Sequence, residues 1–104
     1  MKNNRLYVIV RKDLKCSSPG VQAGHCVAEF CLSSRNSKIW NNQYLIYLEV
    51  ENLDRLNNWL FKFKKRNIEF FLFKEPDLDN EITAICCLLD EDEAGFLSDL
   101  KLLV

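Results

Sequence analysis

The sequence predicts a three-layer α/β/α sandwich, with helices on both faces of a four-stranded mixed β-sheet. Apolar β-branched runs alternate with segments whose apolar residues recur at helical spacing, in the order strand, helix, strand, helix, strand, strand. The strands are apolar along most of their length, which is typical of burial on both faces. The alternative is a two-layer ferredoxin-like fold with both helices on one face. A length of 104 residues favours one domain over residues 1–104.

The first half of the chain predicts a strand, a helix and a second strand. Leu6 to Val10 is a continuous apolar run, and the run from Tyr44 to Val50 follows later. Between them, Ser18 is typical of an N-cap and Pro19 of a first helical turn, so we expect a helix from there to about Leu32. Its core face is predicted to contain Ala23, Cys26, Val27, Phe30 and Cys31.

The second half predicts a helix followed by two strands. Asn52 is typical of an N-cap, and the core stripe of this helix is predicted to contain Leu53, Leu56, Trp59, Leu60 and Phe63. The strands are expected at 69–73 and 82–89, and the short loop between them permits antiparallel pairing. A short acidic helical turn is expected over 90–93.

The charges are unevenly distributed, although the formal net charge is only −1. Residues 1–40 carry seven Lys/Arg against two Asp/Glu, whereas residues 76–104 carry one Lys against eight Asp/Glu. This asymmetry indicates either a basic face for a polyanion or a fold that intermixes the segments and cancels their field. The sequence has no apolar run of membrane-spanning length and no signal-peptide pattern, so we expect a cytoplasmic protein without a membrane partner.

The five cysteines form no C-x-x-C pair, which favours reduced and mostly buried thiols. Cys86 and Cys87 are adjacent in a predicted strand, so their side chains should point to opposite faces. One histidine and scattered cysteines do not make a zinc pattern. We therefore expect neither a metal nor an organic cofactor.

The loop after the first strand is the first candidate site, with Arg11, Lys12, Asp13 and Lys15. In α/β sheets, ligands bind beyond the carboxyl ends of parallel strands. This loop also leads into a helix N-terminus, which favours anions. The segment is thus the best place in the sequence for a phosphate or a carbonyl oxygen.

Three further features have both a structural and a functional interpretation. His25 is expected with Gln22 and Glu29 on the outer side of the first helix, either solvated or as a general base. The loop EPDLDNE, residues 75–81, holds four carboxylates that either activate water or form an ordinary turn. The basic end of the second helix either stabilises the helix dipole or contacts RNA; it comprises Lys62, Lys64, Lys65 and Arg66.

Together, the segments VIVRKDLK, SPGVQAGHCVAEF, WNN and FKEPDLDNEITAI make the chain resemble type II peptidyl-tRNA hydrolases, in particular their short bacterial and phage-like forms. The resemblance extends from about Leu6 to Leu103. It implies the three-layer fold and the hydrolysis of the ester between a peptide and tRNA, without metal or organic cofactor. The positions that match the family's motifs are Arg11, Asp13, Leu14, Gln22, His25, Asp77 and Thr83.

The chemistry of ester hydrolysis then suggests a hypothesis for the roles of these residues and of the neighbouring lysines. Asp77 would orient or deprotonate water, directly or through His25, and Thr83 would hold the water or the ester. Lys12 or the first amides of the helix would stabilise the oxyanion. The residues expected to bind the substrate are Arg11, Asp13, Lys15 and Gln22.

One departure from the family keeps other functions open. The family has a Gly-Lys pair before the first helix, whereas this chain has Ser18, Pro19 and Gly20. Lys12 or Lys15 is a candidate substitute for that lysine. The alternatives are a tRNA- or protein-binding module without activity and a hydrolase that uses Cys16 and His25. Exposed aromatic residues, Trp40 and Phe61, would be the contact surface of a homodimer.

Overall fold

The computed structural model describes residues 4–15, 17–33 and 39–103. They form one five-stranded mixed sheet with two α-helices. The strands are β1 (Arg5–Arg11), β2 (Leu45–Val50), β3 (Phe71–Glu75), β4 (Glu81–Leu89) and β5 (Lys101–Leu102), and the helices are α1 (Pro19–Leu32) and α2 (Leu53–Lys65). The strand order is β3-β4-β1-β2-β5, in which β1 and β2 are parallel and the other neighbours are antiparallel.

Both helices begin where their capping residues predict. The Ser18 hydroxyl accepts a hydrogen bond from the amide of Val21 at 3.2 Å, and Pro19 occupies the first turn of α1. The side chain of Asn52 accepts one from the amide of Arg55 at 3.0 Å and so caps α2. Each such cap contributes about 0.5–2 kcal/mol to stability because it satisfies an amide that the helix leaves unpaired.

The two helices pack on opposite faces of the sheet. Along β1, Leu6, Val8 and Val10 face α1, whereas Tyr7 and Ile9 face α2. The α1 cluster contains Ala23, Cys26, Phe30 and Cys86, and the α2 cluster contains Leu56, Trp59, Phe63 and Cys87. The two-layer alternative is therefore wrong, and the expected separation of the adjacent cysteines is confirmed.

The predicted number of four strands is wrong, because a fifth strand closes the edge beside β2. This strand, β5, pairs with Leu48 and Glu49 only, and two residues are too short to show a strand period. The predicted third strand also shifts, since β3 begins at Phe71 and ends at Glu75. The expected acidic turn becomes a 3₁₀ turn at Glu93–Leu97.

Two side chains predicted from pattern lie elsewhere. Cys31 was expected on the core face of α1 but is exposed, because the buried stripe runs through Gln22 instead. Trp40 was expected to be exposed but is half-buried: its ring packs edge-on against Phe30, and its indole N–H donates to the carbonyl of Tyr44 at 3.0 Å. Trp40 thus belongs to the core under α1 and not to an open surface.

Opposite charges from the two ends of the chain meet in the fold. Arg5 contacts Glu91 at 2.8 Å, and Arg11 pairs with Glu81. The basic and acidic segments are therefore partly intermixed, as one of the two interpretations of the charge distribution expects. Within the described ranges, neither helix has the length and apolarity needed to cross a membrane.

Candidate functional site

One end of the sheet gathers the buried polar side chains. Three polar or charged residues are buried in the described part of the chain, namely Arg11, Gln22 and Thr83. They come from the end of β1, the first turn of α1 and the start of β4. Because buried polar groups require partners, their convergence makes this end of the sheet the candidate site.

Arg11 is bound by two carboxylates. Its guanidinium donates to both carboxylate oxygens of Asp13, at 2.8 and 2.9 Å, and also to Glu81. A fourth bond, 3.3 Å long, reaches the carbonyl of Ile82. The hydrogen bonding that Arg11 donates to Asp13 raises the pKa of Arg11, and it lowers the pKa of Asp13 below its usual range. Both groups therefore stay charged at neutral pH.

Gln22 links α1 to β3 and β4. Its carbonyl oxygen accepts the Thr83 hydroxyl at 2.6 Å, while its amide nitrogen donates to Ser17 at 2.8 Å and to Glu75 at 2.9 Å. The expected position of Gln22 on the outer side of the helix is wrong, because it is completely buried. The burial is tolerated because each polar atom of the side chain has a partner.

A break in the β3–β4 register directs Thr83 toward α1. Phe73 pairs with Ala84, but the next residue, Lys74, pairs with Ile82, so Thr83 has no partner across the ladder. Simple alternation from Ala84, which faces α1, would turn Thr83 to the other face. An extra residue in one strand changes the direction of a side chain in this way. The Thr83 hydroxyl is buried and bound to Gln22, so it does not open to solvent.

Glu75 and Glu81 belong to the four carboxylates of the predicted EPDLDNE loop but were given no individual role, yet they provide partners for the buried groups. They are the first and last residues of the EPDLDNE segment and lie opposite each other in the β3–β4 ladder. Glu75 accepts from Gln22, and Glu81 accepts from Arg11. The available signal was their position at the two strand ends, where a carboxylate can reach the neighbouring elements.

His25 and Asp77 flank this cluster on the solvent side. The exposed His25 ring stacks on Phe73, with 4.5 Å between centroids and 9° between planes. Asp77 is exposed in the 3₁₀ turn Pro76–Leu78, and its amide donates to Glu75 at 3.4 Å. Both are thus placed around the end of β3. Among the described residues, no hydrogen bond joins His25 to Asp77 or to any other side chain.

The two predicted lysines, Lys12 and Lys15, form no hydrogen bond or ion pair with this cluster among the described residues. Lys12 forms an ion pair with Glu49 of β2 at 2.7 Å, which raises the pKa of Lys12. Thr83 is on β4, so β1 separates it from that pair. Lys15 is exposed in the loop that leads to α1. Cys16 lies outside the described residues, and so does the predicted pairing of Cys16 with His25.

The remaining cysteines are distributed between core and surface. Cys26, Cys86 and Cys87 are buried, and Cys31 is exposed. A hydrogen bond with Cys26, together with burial, raises the pKa of the Cys86 thiol, which therefore remains protonated. In the part of the chain that the structure covers, no three His, Cys, Asp or Glu side chains are grouped to hold a metal ion.

Comparisons with known proteins give a structural match but no functional one. No family model and no curated protein matches the sequence. A solved structure of a protein of unknown function from Agrobacterium tumefaciens strain C58 is similar, with a TM-score of 0.72 and 14% identity over the full length of both chains. At this identity the likeness shows the fold alone. The chain therefore shares a mixed α/β fold with a protein to which it is only 14% identical in sequence.

Proposed function

We propose that this chain hydrolyses the ester of peptidyl-tRNA at the end of β1, releasing a peptide and a reusable tRNA. One observation carries the proposal: Arg11, Asp13, Gln22 and Thr83, which match the hydrolase motifs, are joined in two hydrogen-bonded pairs at one end of the sheet. These residues come from three separate segments of the chain. Their location beyond the carboxyl end of β1 is where α/β folds bind ligands.

The substrate phosphate is bound by Lys15 and the start of α1. Lys15 is exposed in the loop, four residues before the first residue of α1, and the first-turn amide of Gly20 has no acceptor within a helix. Arg11 is already engaged by Asp13, Glu81 and a carbonyl, so we assign it a positioning role for this loop. We assign a positioning role to Gln22 and Thr83 as well, because their hydrogen bond joins α1 to β4.

His25 acts as the general base. Stacking on Phe73 fixes the plane of its exposed ring, and Asp77, in the following turn, orients the water. The water oxygen bonds to the acyl carbon as its proton passes to His25, and the bond from that carbon to the ribose 3′ oxygen breaks. The proton then passes to the ribose oxygen. Such general base catalysis contributes about 10²–10⁴ in rate.

The test is cleavage of an N-acetylated aminoacyl-tRNA by the wild type and by two variants. His25→Asn is expected to lower kcat/KM by about 10²–10⁴ because the proton acceptor is lost. Asp77→Asn is expected to lower kcat through loss of water orientation. Asp79→Asn is the matched control, since Asp79 lies in the same turn with a positive φ that Asn tolerates.

Two outcomes count against the proposal at different levels. A wild-type protein that cleaves no ester above the buffer rate removes the hydrolase function altogether. If Asp77→Asn and Asp79→Asn retain equal activity, the role of Asp77 is wrong while hydrolysis itself survives.

The reaction determines what else the protein needs. Translation supplies peptidyl-tRNA in the cytoplasm, and we place the chain there. Water is the co-reactant of ester hydrolysis, so the proposal includes no metal or organic cofactor. All groups named above come from one chain, and a homodimer is not required for the site.

A second candidate is a module that binds tRNA without cleaving it. It is favoured by the burial of Thr83 against Gln22 and by the ion pair of Lys12 with Glu49, which engage two of the predicted catalytic groups. Binding of tRNA at low salt without ester cleavage would distinguish this module from the enzyme.

A further inference from the structure

The C-terminal end of α2 carries a basic surface that the proposed reaction does not use. We define the basic helix end as Phe61, Lys62, Lys65 and Arg66, together with Phe96 from the 3₁₀ turn Glu93–Leu97. Lys62, Lys65, Arg66 and Phe96 line one shallow depression. The Lys65 ammonium lies 5.6 Å from the centre of the Phe61 ring, which places that ring at the rim.

The cations of the basic helix end have no carboxylate partners within the described residues. Arg5, Arg11 and Lys12, in contrast, each form an ion pair. Glu91, which belongs to the nearby acidic segment, is paired with Arg5 rather than with Lys62, Lys65 or Arg66. A protein with a formal net charge of −1 therefore keeps one local concentration of positive charge open to an anion.

Aromatic rings hold two of these cations in place. The Lys62 ammonium lies 4.1 Å from the centre of the Trp59 ring, and the Arg66 guanidinium lies 4.3 Å from that of Phe96. Cation–π contacts of this kind contribute about 0.5–1 kcal/mol at exposed sites. The pre-positioned charges lose less side-chain freedom when they bind an anion than unrestrained ones would.

Phe61 supplies an exposed ring beside the charges. It is 61% exposed, whereas Leu56, Trp59 and Phe63 of the same helix are buried. A helix that lies on a membrane needs a continuous apolar face, but that face of α2 packs against the sheet. A single exposed ring between cations is instead suited to stacking on a base.

We propose that the basic helix end binds RNA, with Lys62, Lys65 and Arg66 contacting phosphates and Phe61 stacking on an unpaired base. The surface is separate from the ester site. The 13-residue α2 is about 20 Å long and begins at the end of the sheet where that site lies. The inference goes beyond the proposed hydrolysis and does not depend on it.

The experiment measures binding of a fluorescent oligouridine to the full chain at several low salt concentrations. For the wild type we expect log affinity to fall linearly with log salt. Lys62→Gln and Lys65→Gln should each reduce the steepness of that slope by about 0.7, the value per phosphate contact of a single strand. Phe61→Ala should weaken binding about 5- to 150-fold, which corresponds to the loss of one stacked base.

Lys64→Gln is the matched control, because Lys64 carries the same charge in the same last turn but does not line the depression. It should keep the wild-type affinity within about 2-fold. The proposal is overturned if oligouridine does not bind, or if Lys64→Gln weakens binding as much as Lys65→Gln. Binding to phosphatidylserine vesicles in place of RNA, or self-association that requires Phe61 and excludes RNA, also overturns it.

The ester assay separates this inference from the proposed function. If the wild type cleaves no ester but binds oligouridine, and this binding requires Lys65 and Phe61, the proposed hydrolase function is wrong and the RNA-binding surface is supported. If the wild type cleaves the ester but does not bind oligouridine, the proposed RNA-binding surface is wrong and the proposed hydrolase function stands.

Discussion

Arg11 and Arg66 show two different uses of the same side chain. Arg11 is only 6% exposed, and its guanidinium is bound by Asp13 and Glu81. Arg66 is exposed and rests on the ring of Phe96. A buried cation with carboxylate partners is part of the folded structure, so its removal should reduce stability. An exposed cation without such partners can bind a ligand, so its removal should reduce binding and leave stability nearly unchanged.

The largest expected effect is that of Arg11→Met. The substitution removes the cation that Asp13 and Glu81 share, so their two negative charges are left without a positive partner. We expect the free energy of unfolding to fall by about 3 kcal/mol, the lower end of the range for a broken buried pair, because both carboxylates are partly exposed.

Urea denaturation measures this change, and Arg66→Met is the matched control. Arg66→Met should cost less than about 1 kcal/mol, the value of an exposed cation–π contact. Equal losses in the two variants would mean that the buried arginine is no more structural than the exposed one.

The next effect concerns Thr83, whose hydroxyl has no role other than its bond to Gln22 in the described structure. Thr83→Val keeps the shape but removes the donor, so the Gln22 carbonyl loses its partner in the core. The free energy of unfolding should fall by about 1–3 kcal/mol. A double-mutant cycle with Gln22→Leu, followed by urea denaturation, should show strong coupling; additive losses would contradict the hydrogen bond.

A smaller effect is a pH dependence that originates at Asp13. Arg11 lowers the pKa of Asp13 in the folded state, so this carboxylate contributes stability above about pH 4, near the ordinary aspartate pKa of about 3.9. The contribution is lost as pH falls through the lowered pKa. Because the side chain is 35% exposed, it should amount to less than about 1 kcal/mol.

Acid titration of stability tests this contribution by comparison of the wild type with Asp13→Asn. The two proteins should differ most above pH 4 and approach each other below it. A constant difference across the acid range would rule out the ion pair as the source.

The smallest effect is expected for Lys62→Gln and Lys64→Gln. Both lie in the last turn of α2, where a cation stabilises the helix dipole by about 0.3–1 kcal/mol. Both melting temperatures should therefore fall by small amounts, and less so at high salt; Lys62→Gln should fall slightly further because it also loses the contact with the Trp59 ring. Only Lys62→Gln should also change RNA binding. If neither variant changes RNA binding, the lysines of the basic helix end act only by stabilising the helix dipole.

Local patterns in the sequence were sufficient to predict those elements whose formation depends on neighbouring residues. The N-caps at Ser18 and Asn52 and the apolar run of β1 are read over a few positions, and all three are confirmed. The motif segments also led to Arg11 and Gln22, which the structure brings to one end of the sheet. Their grouping required the resemblance, because spacing along the chain does not reveal which strand ends meet.

The outer face predicted for Gln22 was wrong for a physical reason. Helical spacing predicts that a polar residue at this position faces solvent. The Gln22 side chain can be buried because the Thr83 hydroxyl bonds to it at 2.6 Å and the Glu75 carboxylate at 2.9 Å. Those partners come from β3 and β4, more than 50 residues away. No local pattern contains that information.

The sequence by itself determined the presence and order of the two helices and of four strands, and the separation of Cys86 from Cys87, because these follow from the periods of helix and strand. The tertiary structure alone decided the fifth strand, the direction of Thr83 and the pairing of Glu75 and Glu81 with the buried groups. Each of these depends on how distant strands align. A shift of one residue in that alignment changes the face on which a side chain lies.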